Sequence, residues 1–161
     1  MIDELVVRVA ERRDLADLDA LFGRAYPRSL KADYPPSIMV TALPLISKAQ
    51  PSLVTCGTFF VAENESGIVA AGGWTPRRDS RMGDVRHVVT DDQHQRQGIG
   101  RAVFDRIFTT ARDANVTLLD CKATRTAVPF YKALGFKTLG PLTVDLRPGI
   151  SFPAVQMQRW L

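Results

Sequence analysis

Hydrophobic positions recur along this chain with two periods, and the switches between them mark out its elements. Leu5 to Ala10 (Leu-Val-Val-Arg-Val-Ala) is rich in β-branched residues and reads as a first strand. Leu15, Leu18, Leu21 and Phe22 follow at helical spacing, with Asp14 placed to cap a helix that runs through Tyr26 and ends at Pro27. A second helical region spans about Pro35 to Ala49, broken or kinked near Pro44. Thr58 to Glu63 and Ile68 to Trp74 are strands joined by the turn Asn64-Glu65-Ser66-Gly67. Met82 to Thr90 is a further strand; under strict alternation His87 and Val89 share one of its faces, and Arg86 and Val88 the other.

The second half continues the alternation of periods. Gly98 to Ala114 carries Ile99, Val103, Ile107 and Thr110 or Ala111 along one helical face. Val116 to Cys121 is a strand apolar enough to be covered on both sides. Thr126 to Leu134 is a short helix, with Gly135 at the position that favours helix termination. Phe136 to Leu139 and Ala154 to Trp160 read as two closing strands, with Pro153 marking the start of the second. This order predicts a mixed α/β (α+β) sheet with helices on its faces.

Composition narrows the picture only a little. The 161 residues are the size of one ordinary domain, with 45% hydrophobic and 24% charged residues. The formal charge of +4 is spread along the chain, so no nucleic-acid arm is indicated, and no helix-turn-helix or zinc spacing accompanies it. Cys56 and Cys121 form no Cys-x-x-Cys pair and no disulfide framework. The acidic opening Met1-Ile2-Asp3-Glu4 does not read as a signal peptide, and no apolar run approaches the roughly 18 residues that cross a membrane. The expectation is a cytoplasmic protein with neither a membrane nor a nucleic-acid partner.

The chemistry concentrates between Val85 and Gly140. A strand and a polar turn lead into Gln95-Arg96-Gln97-Gly98-Ile99-Gly100-Arg101, and a long helix follows at once. Glycines let a backbone approach a ligand closely, and free N–H groups at a helix start favour an anion. Two phosphate-binding patterns fail here. The P-loop's Gly-Lys-Ser/Thr is absent, and Val103 stands where the dinucleotide fingerprint needs its third glycine.

Gln95-x-x-Gly98-x-Gly100 resembles the acyl-CoA pyrophosphate loop of the GNAT N-acetyltransferase superfamily. The run Ala127-Val128-Pro129-Phe130-Tyr131-Lys132-Ala133-Leu134-Gly135-Phe136 resembles the same family's second signature, and a helix and a strand separate the two, in the family's order. The resemblance implies a single domain over residues 1–161, with a mixed, mostly antiparallel sheet of about six to seven strands and about four flanking helices. It implies an N-acetyltransferase that takes acetyl-CoA as co-substrate, needs no metal, and acetylates a primary amine on a small molecule or a protein in a ternary complex. A non-catalytic acyl-CoA sensor is the alternative.

Residue by residue, the resemblance gives the amides of Gln95, Arg96, Gln97, Gly98, Ile99, Gly100 and Arg101 to the pyrophosphate. Val88, Val89 and Thr90 would pair with the pantetheine arm as a missing neighbour strand, and an N–H of Val88 or Val89 would polarise the thioester carbonyl. Tyr131 matches the residue that protonates the departing thiolate, and Phe130 is core or a wall beside CoA. Thr124 and Thr126 occupy the region where the family often has a cofactor-binding Asn. The base stays open among His87, Glu63, Asp84 and an ordered water, His87 being the group that titrates nearest neutrality. Cys121, in an apolar strand with no activating base in the pattern, does not suggest an acyl-cysteine route.

The acceptor is unspecified by sequence. Trp74 is either an acceptor wall or packed in the sheet, and Arg77, Arg78 and Arg81 either attract an acidic acceptor or form a solvated loop. Ile38, Met39, Val40, Leu43, Leu45 and Ile46 would line an acceptor pocket, form a homodimer interface, or cover the sheet.

Overall fold

A computed structural model describes residues 4–91 and 98–161. Seven strands form one sheet: β1 (Val6–Val9), β2 (Phe59–Asn64), β3 (Gly67–Pro76), β4 (Met82–Thr90), β5 (Leu118–Ala123), β6 (Lys137–Arg147) and β7 (Ile150–Trp160). Their spatial order is β1-β2-β3-β4-β5-β7-β6. Every neighbouring pair is antiparallel except β4 and β5, which run parallel at the middle of the sheet. The described residues form six α-helices: α1 (Leu15–Leu30), α2 (Pro36–Thr41), α3 (Leu43–Ile46), α4 (Pro51–Val54), α5 (Ile99–Asp113) and α6 (Val128–Ala133). This is the expected mixed, mostly antiparallel α/β architecture, with α1 and α5 as its two long helices.

The two faces of the sheet hold separate cores. Beneath α5, Val103, Phe104, Ile107 and Ala111 pack on Phe60, Leu119 and Met157, all essentially inaccessible to solvent. On the opposite face, Leu18, Leu21, Phe22 and Ala25 of α1 pack on Phe59, Val61 and Val89. Alternation along β2 makes this division: Phe59 and Val61 point one way, Phe60 and Ala62 the other. A third cluster joins Leu30, Tyr34, Ala42 and Leu43 to Phe152 and Ala154 of β7, with Ile38, Met39 and Ile46 packed against it. Most of the apolar residues of α2 and α3 therefore cover the sheet, while Val40 is 75% exposed.

Three expectations need correction, and proline enters two of them. Pro27 lies inside α1, which continues to Leu30. The missing N–H forfeits one helical bond, but Leu30 is buried in the third cluster and holds the last turn in place. The break expected near Pro44 is present, between α2 and α3 at Ala42, and Pro44 and Pro36 sit in first helical turns, where no N–H partner is needed. Asp14 does not cap α1 with its side chain. Its carboxylate accepts from Glu11 N (2.7 Å) and from both terminal nitrogens of Arg8 (2.9 Å each), closing a 3-10 turn ahead of α1.

The closing strands are each 11 residues long, and a turn at Pro148-Gly149 joins them. Pro141 is tolerated because β6 is the sheet's edge, with β7 as its one ladder neighbour. Pro153 lies inside β7, beyond Val155, where the β5 ladder stops. Pro153, read as the start of the last strand, thus falls inside it, where the strand can do without the donor.

Candidate active site

Strands β4 and β5 separate as they run through the sheet. Their ladder pairs Met82, Gly83 and Asp84 with Leu118, Leu119 and Asp120, and goes no further. From Val85 onward the β5-facing edge of β4 has no strand partner. On its other side β4 stays bound to β3, but the register shifts: Arg86 faces Gly73 and Val89 faces Ala71, so His87 and Val88 together oppose Gly72. This is a β-bulge, and it bends the strand. His87 takes a left-handed conformation there (φ 43°). Gly72 is suited to its place, since a Cβ would lie 2.9 Å from a methyl of Val88. The bulge also breaks strict alternation. Val85 and Val88, of opposite parity, both pack toward the α5 core, whereas His87 and Val89 meet Phe22 of α1.

The split opens a cavity of about 520 Å³. One wall is Gly98, Ile99, Gly100 and Arg101 at the start of α5, with Phe130 and Tyr131 of α6 and Leu134 just after it. The opposite wall is Ala25, Tyr26, Ser29 and Leu30 of α1. Between them run Val88, Val89 and Thr90 of β4 and Cys121 and Lys122 of β5, while Thr124 and Thr126 close the end. The expected site residues among those described therefore converge on one space. Gln95, Arg96 and Gln97 lie outside the described residues, as does His94.

Backbone chemistry dominates the α5 wall. The first bond of α5 runs from Ala102 N to Gly98 O (3.0 Å), so the N–H groups of Ile99, Gly100 and Arg101 have no helical partner. Gly98 caps the helix in the left-handed region (φ 75°), with open space where a side chain would stand. A Cβ on Gly100 would lie 3.1 and 3.2 Å from ring carbons of Phe130 and 3.3 Å from Thr90 Oγ1. Helix start, α6 and strand end thus approach as closely as glycine permits.

The floor of the split is made of titratable groups, with Tyr131 and Cys121 buried and His87 half-buried. Tyr131 is 5% exposed, and burial raises its phenol well above the usual value, so it keeps its proton. It hydrogen-bonds the Cys121 thiol, which burial pushes up to about 12. Cys121 is therefore a protonated thiol rather than a nucleophile. His87 stacks on Phe22 (centroids 5.1 Å apart), and its Nδ1 lies 2.9 Å from Tyr26 Oη. Burial, and then the charge of Arg86, lower the imidazole to about 4, so it is neutral at physiological pH. When Nδ1–H donates to Tyr26, Nε2 keeps a free lone pair.

The other candidate bases stand elsewhere. Glu63 is held by Arg8 (3.1 Å) at the far end of β2, and Asp84 is hydrogen-bonded to Arg77; neither lines the cavity. Trp74 is buried under α5, with its indole N–H donating to Thr110 Oγ1 (2.9 Å), so it is no acceptor wall. Arg77 is not a solvated loop residue, because it bridges Asp84 and buried Asp120 (3.2 Å), while Arg78 and Arg81 are exposed. The hydroxyls of Thr124 and Thr126 already have partners: Thr124 Oγ1 accepts from Ala127 N (3.3 Å), and Thr126 Oγ1 donates to Asp33 (2.6 Å).

Sequence reasoning missed Tyr26, Ser29 and Lys122 as cavity residues, and Tyr34 as their support. The Tyr34 hydroxyl donates to Pro153 O (2.7 Å) and accepts from Arg125 N (2.9 Å), fastening the chain after α1 to the end of the cavity. Tyr26 and Tyr34 act through partners distant in sequence, and Ser29 and Lys122 reach the cavity only through the fold, so no local signal marks these positions.

A family profile described as an acetyltransferase (GNAT) domain matches residues 55–138, which include the split strands and both signature segments. The chain belongs to the GNAT acetyltransferase family. It is 32% identical over 91 residues to mouse probable N-acetyltransferase family 8 member 5, covering 52% of this chain and 40% of that protein. It is 33% identical over 96 residues to human N-acetyltransferase 8B, covering 55% of this chain and 42% of that protein. The chain thus spans about two fifths of the length of the curated relatives it matches. A GCN5-related N-acetyltransferase from Rhodopseudomonas palustris shares the fold, with a TM-score of 0.80 at 16% identity over 100% of this chain and 99% of that one. PaiA N-acetyltransferase from Thermoplasma acidophilum, solved in complex with coenzyme A, has a TM-score of 0.73 at 10% identity over 98% and 99%. Among the described residues no helix is long and apolar enough to cross a membrane.

Proposed function

We propose that residues 1–161 act as one acyl-CoA N-acyltransferase domain, moving an acetyl group from acetyl-CoA to a primary amine by direct attack in a ternary complex. The observation that carries this is the split itself: among the described residues the β4 edge from Val85 to Thr90 lacks a strand partner, and it runs between N–H groups without a partner in their own helix and a buried, protonated phenol. Acetyl-CoA supplies an activated thioester. The chain's part is to bind it, orient it and handle protons.

The N–H groups of Ile99, Gly100 and Arg101, with those of Gln95 to Gly98, receive the pyrophosphate. Val88, Val89 and Thr90 pair with the amide-bearing pantetheine arm as an added strand would, and Phe130 walls it. A backbone N–H of Val88 or Val89 stabilises the oxyanion formed on attack. Tyr131 gives its proton to the departing thiolate. His87 Nε2 accepts the proton lost by the amine, directly or through a water, with Tyr26 fixing the ring. Thr124 and Thr126 shape the end of the channel. Two free thiols, one of them exposed, go with a cytoplasmic setting.

Calorimetric titration with acetyl-CoA, followed by a thiol-release screen over primary amines, tests this. Saturable binding and release with at least one amine are expected. Binding without release from any amine would leave an acyl-CoA sensor, and no binding would remove the assignment altogether.

A further inference from the structure

Strand β5 sends its side chains alternately to the two faces of the sheet. Leu119, Cys121 and Ala123 enter the core under α5, and Asp120 and Lys122 take the face that carries α1. Asp120 is 3% exposed and fully engaged, receiving Arg77 (3.2 Å), Gln156 Nε2 (3.0 Å) and Gln158 Nε2 (2.9 Å). Lys122 lies two residues on, past the end of the β4–β5 ladder. It is exposed, lines the cavity and has no ion-pair partner among the described residues.

The rest of the cavity's charge is one-sided. Among the described residues no Asp or Glu lines it, and Arg101, at the start of α5, is the other cation in the lining. Asp33, beside the end of the channel, is bound by Thr126 (2.6 Å), and Asp91 is buried against Arg24 (2.9 Å). The α1 wall otherwise offers a phenol, a hydroxyl and a neutral imidazole from Tyr26, Ser29 and His87.

Such a wall suits one kind of acceptor. A lysine favours loss of the proton from a nearby ammonium, which the attacking amine must undergo, and it attracts an anion on the same molecule. A polyamine would bring a second ammonium toward Lys122 with no carboxylate among the described lining residues to receive it. Resting on the N-acetyltransferase reading, we propose that the acceptor is a small amine that also bears a carboxylate, held by Lys122 so that its amino group faces His87 and the thioester. Lys122 is a specificity-determining residue, not a proton carrier.

Thiol release is measured with acetyl-CoA and pairs of amines that differ only in the carboxylate, such as phenylalanine with 2-phenylethylamine and 4-aminobutyrate with propylamine, plus spermidine. The best acceptors are expected to carry the carboxylate, with kcat/KM about tenfold above the partner lacking it. Lys122→Gln should bring that ratio to within about twofold, chiefly through KM, and Lys122→Arg should retain most of it. The thermal midpoint of each variant checks that it is folded. Spermidine or a decarboxylated amine as the best acceptor, or an undiminished ratio in Lys122→Gln, overturns the proposal. Either result leaves the acetyltransferase reading standing, whereas failure to bind acetyl-CoA removes both.

Discussion

On the α5–α6 side of the cavity, Gly98 to Arg101, Phe130 and Tyr131 belong to one stretch of chain, with a helix and a strand between its two ends. On the α1 side the residues come from far apart: Tyr26 precedes its partner His87 by 61 positions, and the support from Tyr34 reaches Arg125 across 91. The first wall presents mostly backbone, and the second presents side chains. A pyrophosphate and an amide-bearing arm can be met by any backbone in the right shape, so the sequence needs only glycines and a helix start. An acceptor is met by side chains, and their identity is free to change while the fold persists. The comparison therefore predicts that damage to the first wall ends cofactor use or turnover, and that changes to the second adjust substrate choice.

Tyr131→Phe tests the first wall most severely. The phenol is buried, and its hydroxyl meets Cys121, so removing it leaves the ring's packing against Phe104 and Phe136 in place. Turnover should fall by roughly two to three orders of magnitude, the range for loss of a positioned proton donor. Acetyl-CoA affinity should change by less than about threefold, because Phe keeps the wall's shape. Single-turnover rates and calorimetry on the same variant separate the two quantities. Full activity would remove Tyr131 as the acid and make it a packing residue.

Gly98→Leu attacks the wall's backbone instead. The left-handed φ of 75° strains any side chain there by about 1–2 kcal/mol, and the new group would project into the open space at the helix start. Acetyl-CoA affinity should drop by about a hundredfold or more, with the variant still folding cooperatively. Unchanged affinity would mean that the start of α5 does not meet the cofactor.

The same contrast explains what was legible beforehand. Val85 to Gly140 could be read because periodicity, glycine spacing and the Phe130-Tyr131 segment are local properties. β4 was delimited correctly from Met82 to Thr90, yet its bulge was not foreseen, because a bulge depends on the register with β3. His87 looked like a base near neutrality, and burial under Phe22 and Tyr26 is what moves it. Lys122 falls one residue past the strand read as Val116 to Cys121, and only the parting of β4 from β5 opens the cavity beside it. The β6–β7 hairpin is longer than the closing strands read as Phe136 to Leu139 and Ala154 to Trp160, because the places of Pro141 and Pro153 inside it depend on which edges stay unpaired.

His87 offers a check on the second wall that needs no substrate. Its folded pKa of about 4 lies below the ordinary value of 6.5. Between those values the unfolded chain binds the proton and the folded chain does not, so stability falls as pH drops through this window. The loss should be about 2 kcal/mol at pH 5 relative to pH 7, and it should level off below about pH 4. The Asp14 carboxyl, held low first by its hydrogen bond to Arg8, contributes a separate loss at lower pH, below the ordinary carboxylate value. His87→Asn is the informative variant, because Asn tolerates the left-handed backbone at the bulge. It should be less stable at pH 7, having lost the stack on Phe22, but flatter between pH 6.5 and 4 in denaturant titrations. A wild-type protein equally stable at pH 7 and 5 would mean that His87 keeps its ordinary pKa when folded, and the site would then lack the neutral imidazole that the proposed proton route uses.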